Sequence, residues 1–408
     1  MAKKGDRPLR TDTLLAQGGR RPEWTGHPDI GGSIVNPPVW RASTTLYDSM
    51  ADLKSRPHDT HDKLYYGRRG TPTVWALADA LTALEPGAEG TLLYASGVQA
   101  ITAGLTALLG PGDHLLMVDS TYQPSRAFCD GYLKRIGVET TYYDPLIGAD
   151  IADLIRPNTK LIFLESPGSH SFEVQDIPAI VKVAKEKGIV TFLDNTWATP
   201  LFFPALAAGV DVTMMACTKY VVGHSDVMMG SLTIHEGLWQ TLRRSTYEFG
   251  HSVSPDDCYL ALRGLRTMGA RLRQHQESGL AVAHWLAEQP WVSKILHPAF
   301  PDCPGHEYWK RDFKGASGLF SFGLKGASEA RRDAFIDALT LFGLGYSWGG
   351  FESVVVPSDV ASIRTATKWG ENDPFVRLHI GLEDPADLIA DLEQAAKAAL
   401  QGAGGGTA

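Results

Sequence analysis

Between about residues 71 and 260, short apolar runs alternate with longer stretches whose apolar positions recur at helical spacing. The periods predict helices over Thr73–Leu84, Val98–Leu109 and Ile177–Lys187. They predict strands at Thr91–Tyr94, Leu115–Asp119, Leu161–Glu165, Ile189–Asp194 and Asp211–Met215. Short apolar runs separated by helices belong in a largely parallel sheet covered on both faces. Further on, Pro255–Glu288 reads as one long helical pattern. The segments Gly318–Gly323, Arg331–Leu339, Phe375–Leu382 and Pro385–Leu400 then predict a smaller α/β unit.

The first 65 or so residues break this rhythm. They are rich in Pro, Gly, Arg, His and Asp, and read as an extended arm ordered by packing on another surface, such as a neighbouring subunit. At the other end, Gly402–Ala408 predicts disorder.

Composition narrows the function classes. With 408 residues the default is two domains plus an extension. A net charge of −8 without a basic tract disfavours broad electrostatic binding of nucleic acid. No apolar run is long enough to span a bilayer, and no apolar signal segment follows Met1–Arg7. Cys129, Cys217, Cys258 and Cys303 show neither CxxC spacing nor disulfide-scaffold density, so a reducing, cytoplasmic setting is expected. Cys217 reads as a small buried hydrophobe, His224 as a structural hydrogen-bonding group, and His58, His61, Cys303 and His306 as solvated loop residues. No metal is expected.

Candidate chemistry gathers at strand ends. Asp194 closes one apolar strand, and Lys219 follows another by a few residues. An amine leaving an apolar strand suits a Schiff-base lysine, and a strand-end carboxylate suits the ring nitrogen of an aldehyde cofactor. Taken singly, the Asp is a turn former and the Lys a surface charge. Ser96-Gly97-Val98 joins a strand to a helix and could receive an anion at the helix N-terminus, or be a simple turn. Tyr122 could stack on a planar cofactor, or be an ordinary half-buried tyrosine. Tyr65-Tyr66-Gly67-Arg68-Arg69-Gly70 forms a compact donor set for phosphate or carboxylate, or is a solvated basic loop. Arg377, within an apolar strand, requires an anionic partner in the protein or the substrate. Tyr346-Ser347-Trp348-Gly349-Gly350 could line a pocket or be a packed turn.

As a set, these residues resemble the Cys/Met-metabolism group of pyridoxal-phosphate enzymes with the aspartate-aminotransferase fold (fold type I). The similarity runs from about residue 30 to 400. It is carried by Tyr66-Gly-Arg-Arg-Gly-Thr, Leu164-Glu-Ser-Pro-Gly-Ser, Asp194-Asn-Thr-Trp-Ala, Thr218-Lys-Tyr-Val-Val-Gly-His-Ser-Asp, Gly264-Leu-Arg-Thr, Ser347-Trp-Gly-Gly-Phe-Glu-Ser and Arg377-Leu-His-Ile-Gly-Leu-Glu-Asp. The Ser347 and Arg377 motifs lean toward its bacterial β-lyase branch.

The resemblance implies an arm over 1–70 contacting a neighbouring subunit, a cofactor-binding large domain over 71–262, a small α/β domain over 263–400 and a disordered tail over 401–408. It implies pyridoxal 5'-phosphate on Lys219, with Asp194 at the ring nitrogen and Tyr122 stacked on the ring as a catalytic partner. Gly97, Val98 and Thr218 would hold the phosphate, joined by Tyr66 and Arg68 from the neighbouring subunit. Arg377 would clamp the substrate carboxylate beside Ser347, Trp348 and Arg69. The implied activity is β-elimination from an amino-acid thioether, cystathionine above all, by a homotetramer built from dimers.

Related enzymes commonly carry methionine where Val98 stands, and many carry serine at Ala216. Related lyases also often carry an acidic residue a few positions after the stacking tyrosine, where Arg126-Ala127 stands here. That leaves open cysteine, cystine or other S-conjugates as substrates, and γ-elimination. From another class, a protein of this fold could serve as a regulatory binding partner.

Overall fold

Alternation within the strands decides how the larger sheet is buried. In a computed structural model that describes residues 9–26, 31–55 and 62–400, this sheet comprises β1 (Ala88–Tyr94), β2 (His114–Val118), β3 (Glu139–Tyr143), β4 (Thr159–Glu165), β5 (Val190–Asp194), β6 (Val212–Met215) and β7 (Gly230–His235). Their order is β1-β7-β6-β5-β4-β2-β3. Strands β2 to β6 pair in parallel, and β7 runs against both of its neighbours. Leu116, Val118, Ile162, Leu164 and Leu193 enter one core, while Leu115, Met117, Leu161, Phe163 and Phe192 enter a second. Successive side chains thus bury opposite faces, which accounts for the unbroken apolar runs.

The sequence pattern did not reveal β3 or β7, for different reasons. β3 is an edge strand whose side chains are mostly only half-buried. β7 carries Ser231 and Thr233, polar residues that a sequence reader assigns to solvent. Both are buried, with Thr233 hydrogen-bonded to Thr91 across the strand pair at 2.9 Å and Ser231 accepting from Cys217.

The smaller sheet contains β8 (Val292–Leu296), β9 (Leu319–Leu324), β10 (Gly343–Leu344), β11 (Val354–Ser358) and β12 (Phe375–His379), ordered β10-β11-β12-β9-β8. Only the β10–β11 pair is parallel. Phe320, Phe322 and Leu378 pack there with Leu388 and Leu392 of the helix Pro385–Ala399.

Two expectations require correction. The pattern over Pro255–Glu288 is two helices, Pro255–Leu265 and Met268–Ala287. The break stabilises itself through Arg271, whose Nη2 donates to Gly264 O at 2.8 Å and to Tyr220 O at 2.7 Å. One guanidinium therefore caps the first helix and fastens it beside Lys219. Part of the N-terminal arm also packs on its own chain: Leu15 and Trp24 share a core with Trp75, and Arg266 donates to Leu15 O and Gly18 O at 2.9 and 2.7 Å. Farther along, Ile34, Val35, Leu46, Met50 and Leu53 are exposed. The expected tail at 401–408 and the His58–His61 pair lie outside the described residues.

Candidate active site

Lys219 lies four residues beyond β6, in a turn where its N–H donates to Ala216 O at 3.0 Å and its carbonyl accepts from Gly223 N at 2.8 Å. Its Nζ lies 2.5 Å from Ser347 Oγ and 5.3 Å from the Trp348 ring centre. The 347–350 loop reaches it by close backbone approach. A Cβ on Gly349 would come within 3.0 Å of Lys219 Cα, and both Gly349 (φ +85°) and Ser347 (φ +86°) occupy left-handed conformations. For Ser347 that conformation carries strain, held by the packing around it. Gly349 N donates to His379 Nε2 at 3.1 Å, and Ser225 Oγ donates to Glu352, pinning the loop. Burial, with the nearby charge of Arg377, brings the Lys219 amine down to about 8, although Asp194 opposes the shift.

Asp194 ends β5. Its Oδ1 accepts from Thr196 N at 3.0 Å and Thr196 Oγ1 at 2.5 Å, while among the described residues no donor reaches Oδ2. Glu165, the last residue of β4, stands in register with it. Sequence reading assigned Glu165 no role, though the shared strand-end position was the available signal. Burial and the charge of Asp194 push the Glu165 carboxyl well above the usual range. Glu165 Oε2 accepts from Tyr122 N at 2.7 Å and Thr121 Oγ1 at 3.1 Å, so it sets the start of the segment that carries Tyr122. Burial raises the Tyr122 phenol, helped by Glu165 and Asp194 and opposed by Arg377.

Beside these groups the helix Gly97–Leu108 begins. Ser96 caps it by accepting from Gln99 N at 3.1 Å, and the N–H groups of Gly97 and Val98 have no partner within the helix. Gly97 packs so closely that a Cβ there would lie 2.7 Å from Ala216 Cβ. Thr218 is joined to the same corner through Met229, whose N–H donates to Thr218 Oγ1 at 2.9 Å. This is a cradle for an anion.

Arg377, on β12, is buried, and among the described residues no carboxylate stands within ion-pair distance of it. Its Nη1 meets His170 Nε2 at 3.4 Å, and burial lowers its pKa to about 10.

A family model described as Cys/Met metabolism PLP-dependent enzyme matches residues 13–397. The chain belongs to that family. Pyridoxal 5'-phosphate is accordingly its cofactor, and the fold is fold type I. The chain is 50% identical to a putative cystathionine beta-lyase of Rhizobium johnstonii, over 90% of this chain and 92% of that protein. It is 45% identical to the cystathionine beta-lyase MetC of Escherichia coli, over 94% and 97% respectively. Among solved structures, cystathionine gamma synthase from Xanthomonas oryzae, in complex with aminoacrylate and cysteine, superposes with a TM-score of 0.86 at 32% identity, covering 96% of this chain and 99% of that one.

The residues present fit the family cofactor. The Gly97–Val98 amides suit a phosphate, the unpartnered Oδ2 of Asp194 suits a protonated ring nitrogen, and Lys219 is a desolvated amine.

Other site residues expected of this family member lie elsewhere. Arg68 Nη1 donates to Tyr247 O at 2.8 Å, and the Arg69 guanidinium lies 4.8 Å and 4.9 Å from the ring centres of Tyr65 and Tyr247. They line a cleft with Trp75, Tyr247 and His251 that includes neither Lys219 nor Asp194. Tyr66 stands exposed next to it. Arg126, which stands in the stretch where related lyases often carry an acidic residue, turns inward: it pairs with buried Asp119 at 2.6 Å and lies 3.7 Å from the Tyr142 ring centre. The opposite charge and the aromatic face together draw it from the substrate side.

Cys217 is a buried core residue, and His224 Nδ1 is bonded to Val222 O at 2.6 Å. Cys303, expected on a solvated loop, is instead buried in the core; it and His306 bond backbone carbonyls, and among the described residues no group of three metal-ligating side chains occurs. No helix of the described residues is long and apolar enough to cross a membrane.

Proposed function

We propose that the chain is a carbon–sulfur β-lyase that cleaves L-cystathionine to homocysteine, pyruvate and ammonia. The observation that carries the reading is the setting of Lys219: a desolvated amine that feels the opposing charges of Asp194 and of Arg377, which pairs with no carboxylate among the described residues. Identities of 50% and 45% over most of the chain to proteins named as cystathionine beta-lyases support the substrate.

Bound pyridoxal phosphate supplies an electron sink for the carbanion left at Cα. Asp194, through its unpartnered Oδ2, would hold a proton at the ring nitrogen, and Tyr122 would support the ring and steer the incoming amine. Gly97, Val98 and Thr218 hold the phosphate. Arg377 binds the α-carboxylate with Ser347 and Trp348 beside it, so that the Cα proton faces Lys219 Nζ. Lys219 accepts that proton, then delivers it to the departing sulfur. Water hydrolyses the released aminoacrylate to pyruvate and ammonia.

Tyr66, Arg68 and Arg69 complete this reading from a neighbouring subunit, in a dimer that pairs into a tetramer. The exposed Tyr66 and the exposed apolar side chains of Ile34, Val35, Leu46, Met50 and Leu53 support such a contact. The reading takes the chain to divide near residue 262 and to work in the cytoplasm.

Replacement of Lys219 by Ala should abolish pyruvate formation and the near-visible absorbance of the bound cofactor; retention of both would refute the assignment. With the unaltered enzyme, pyruvate marks β-elimination and 2-oxobutanoate would mark γ-elimination instead. Cystathionine should be preferred to cysteine and cystine.

A further inference from the structure

His170 occupies a position that the proposed chemistry does not use. It lies in the loop after β4, with φ at +63°, a conformation that needs support from its surroundings. The loop is tightly tethered. Ser169 N donates to Ser120 O at 2.8 Å, Gly168 N to Glu173 O at 2.9 Å, and Phe172 N to Gly168 O at 3.0 Å. A Cβ on Gly168 would collide with the Ser120 side chain. The result is an imidazole aimed across the gap between the two sheets, with Nε2 facing Arg377 Nη1 at 3.4 Å and Nδ1 facing Ser358 Oγ on β11 at 3.0 Å.

Hydrogen-bond chemistry allows one arrangement of this chain. A guanidinium has only donors, so His170 Nε2 must offer its lone pair. The imidazole then carries its proton on Nδ1 and donates it to Ser358 Oγ. Burial, reinforced by the charge of Arg377, keeps the ring neutral, with a pKa lowered to about 3. Among the described residues no carboxylate pairs with Arg377, so no ion pair there sets its plane. An uncharged acceptor can orient it without competing for its charge. A carboxylate in that place would neutralise the very cation that the substrate needs.

We propose that His170 is a positioning residue that orients the Arg377 guanidinium for the α-carboxylate of the amino-acid substrate. The proposal rests on Arg377 being the carboxylate clamp. It adds a second element, contributed by the larger sheet, to a recognition device otherwise built on the smaller one.

The experiment compares the holoenzyme with His170→Leu, His170→Gln, Ser358→Ala and Arg377→Lys variants. Two probes are titrated calorimetrically: glycine, and methylamine, which presents the same amine without a carboxylate. His170→Leu should weaken glycine binding and raise KM for L-cystathionine by roughly fivefold, with kcat changed less than about twofold. Methylamine binding should not change. His170→Gln, whose side-chain oxygen can replace Nε2 as the acceptor, should restore most of the glycine affinity.

Unchanged glycine affinity in His170→Leu, or equal losses for glycine and methylamine, would overturn the proposal. Should His170→Leu fail to fold, Ser358→Ala decides the matter, because it leaves the imidazole in place and frees its proton. A loss of affinity confined to glycine supports the proposal, and no loss overturns it. Arg377→Lys separates the two levels of inference. If it weakens glycine binding while the His170 variants do not, only the positioning role falls; if it has no effect, the carboxylate clamp falls as well.

Discussion

The amine of Lys219 lies 2.5 Å from the hydroxyl of Ser347, a residue 128 positions later in the chain. This contact, with the close approach of Gly349 and the Trp348 ring, couples the turn after β6 to a strained loop that packs against it. The amine is held by a neutral acceptor, which fixes its direction without stabilising its charged form as a carboxylate would.

Removal of that hydroxyl tests the coupling. Ser347→Ala should retain cofactor absorbance and lose roughly tenfold in kcat, because the proton-transferring amine is no longer aimed. Ser347→Gly removes the hydroxyl and also relieves the left-handed strain at φ +86°. It should match the alanine variant in kcat yet unfold at a higher denaturant concentration, by about 1 kcal/mol. Equal stability of the two variants would refute the strain assignment.

The lowered Lys219 pKa has a defined pH signature. In the cofactor-free protein its folded value is about 8 against an ordinary 10.5. Only the neutral amine attacks an aldehyde, so the rate of reconstitution with pyridoxal phosphate should rise with pH and level off above about pH 8. Stability has the same sign. Between the two values the unfolded chain binds the extra proton, so burial of Lys219 destabilises most at lower pH and least above the ordinary lysine value. Lys219→Met should therefore stabilise the cofactor-free protein near neutrality, with a gain that shrinks as pH rises through this window. Melting temperatures across pH provide the check.

The two neighbouring carboxyls should respond very unequally to amide substitution. Asp194→Asn removes the charge facing the cofactor nitrogen and should reduce kcat by roughly a hundredfold or more. Glu165 has its carboxyl raised by burial and by Asp194, and it accepts from Tyr122 N and Thr121 Oγ1. Glu165→Gln preserves an acceptor for both and should stay within about threefold of the parent. Steady-state kcat distinguishes them. A similar collapse in both variants would mean that Glu165 works as an anion.

Arg126 should behave as a structural residue. Its guanidinium pairs with buried Asp119, which also accepts from the backbone N–H groups of Thr365, Ala366 and Thr367 at 2.9 to 3.2 Å. Arg126→Ala would leave a buried carboxylate short of its partner and should cost about 3 to 5 kcal/mol in denaturant unfolding. The ratio of pyruvate to 2-oxobutanoate should stay as in the parent. A changed ratio would return Arg126 to the substrate side.

Much of the larger sheet was legible because its central strands are buried on both faces, which leaves continuous apolar runs at strand length. The strands that escaped, β3 and β7, are those whose burial does not follow from polarity: one lies at an edge, and the other buries Ser231 and Thr233 with hydrogen bonds satisfied across neighbouring strands. The break between Pro255–Leu265 and Met268–Ala287 escaped for a related reason. Both halves share the helical period, and the interruption is stabilised by Arg271 reaching carbonyls outside its own turn.

By itself the sequence pointed to the cofactor class through a family resemblance carried by the motifs around Asp194, Lys219, Ser347 and Arg377, since each of these residues taken singly also has a bland reading. The environment of those groups was decided only in three dimensions. Register across β4 and β5 brings Glu165 beside Asp194, the loop after β11's neighbour β10 places Ser347 on Lys219, and the packing of two sheets sets His170 against Arg377, 207 positions away. It also turns Arg126 inward onto Asp119. Side-chain identity carries the chemistry that a residue can perform. Which partner desolvates, orients or neutralises it depends on contacts between distant segments, and those exist only after the strands have paired and the sheets have packed.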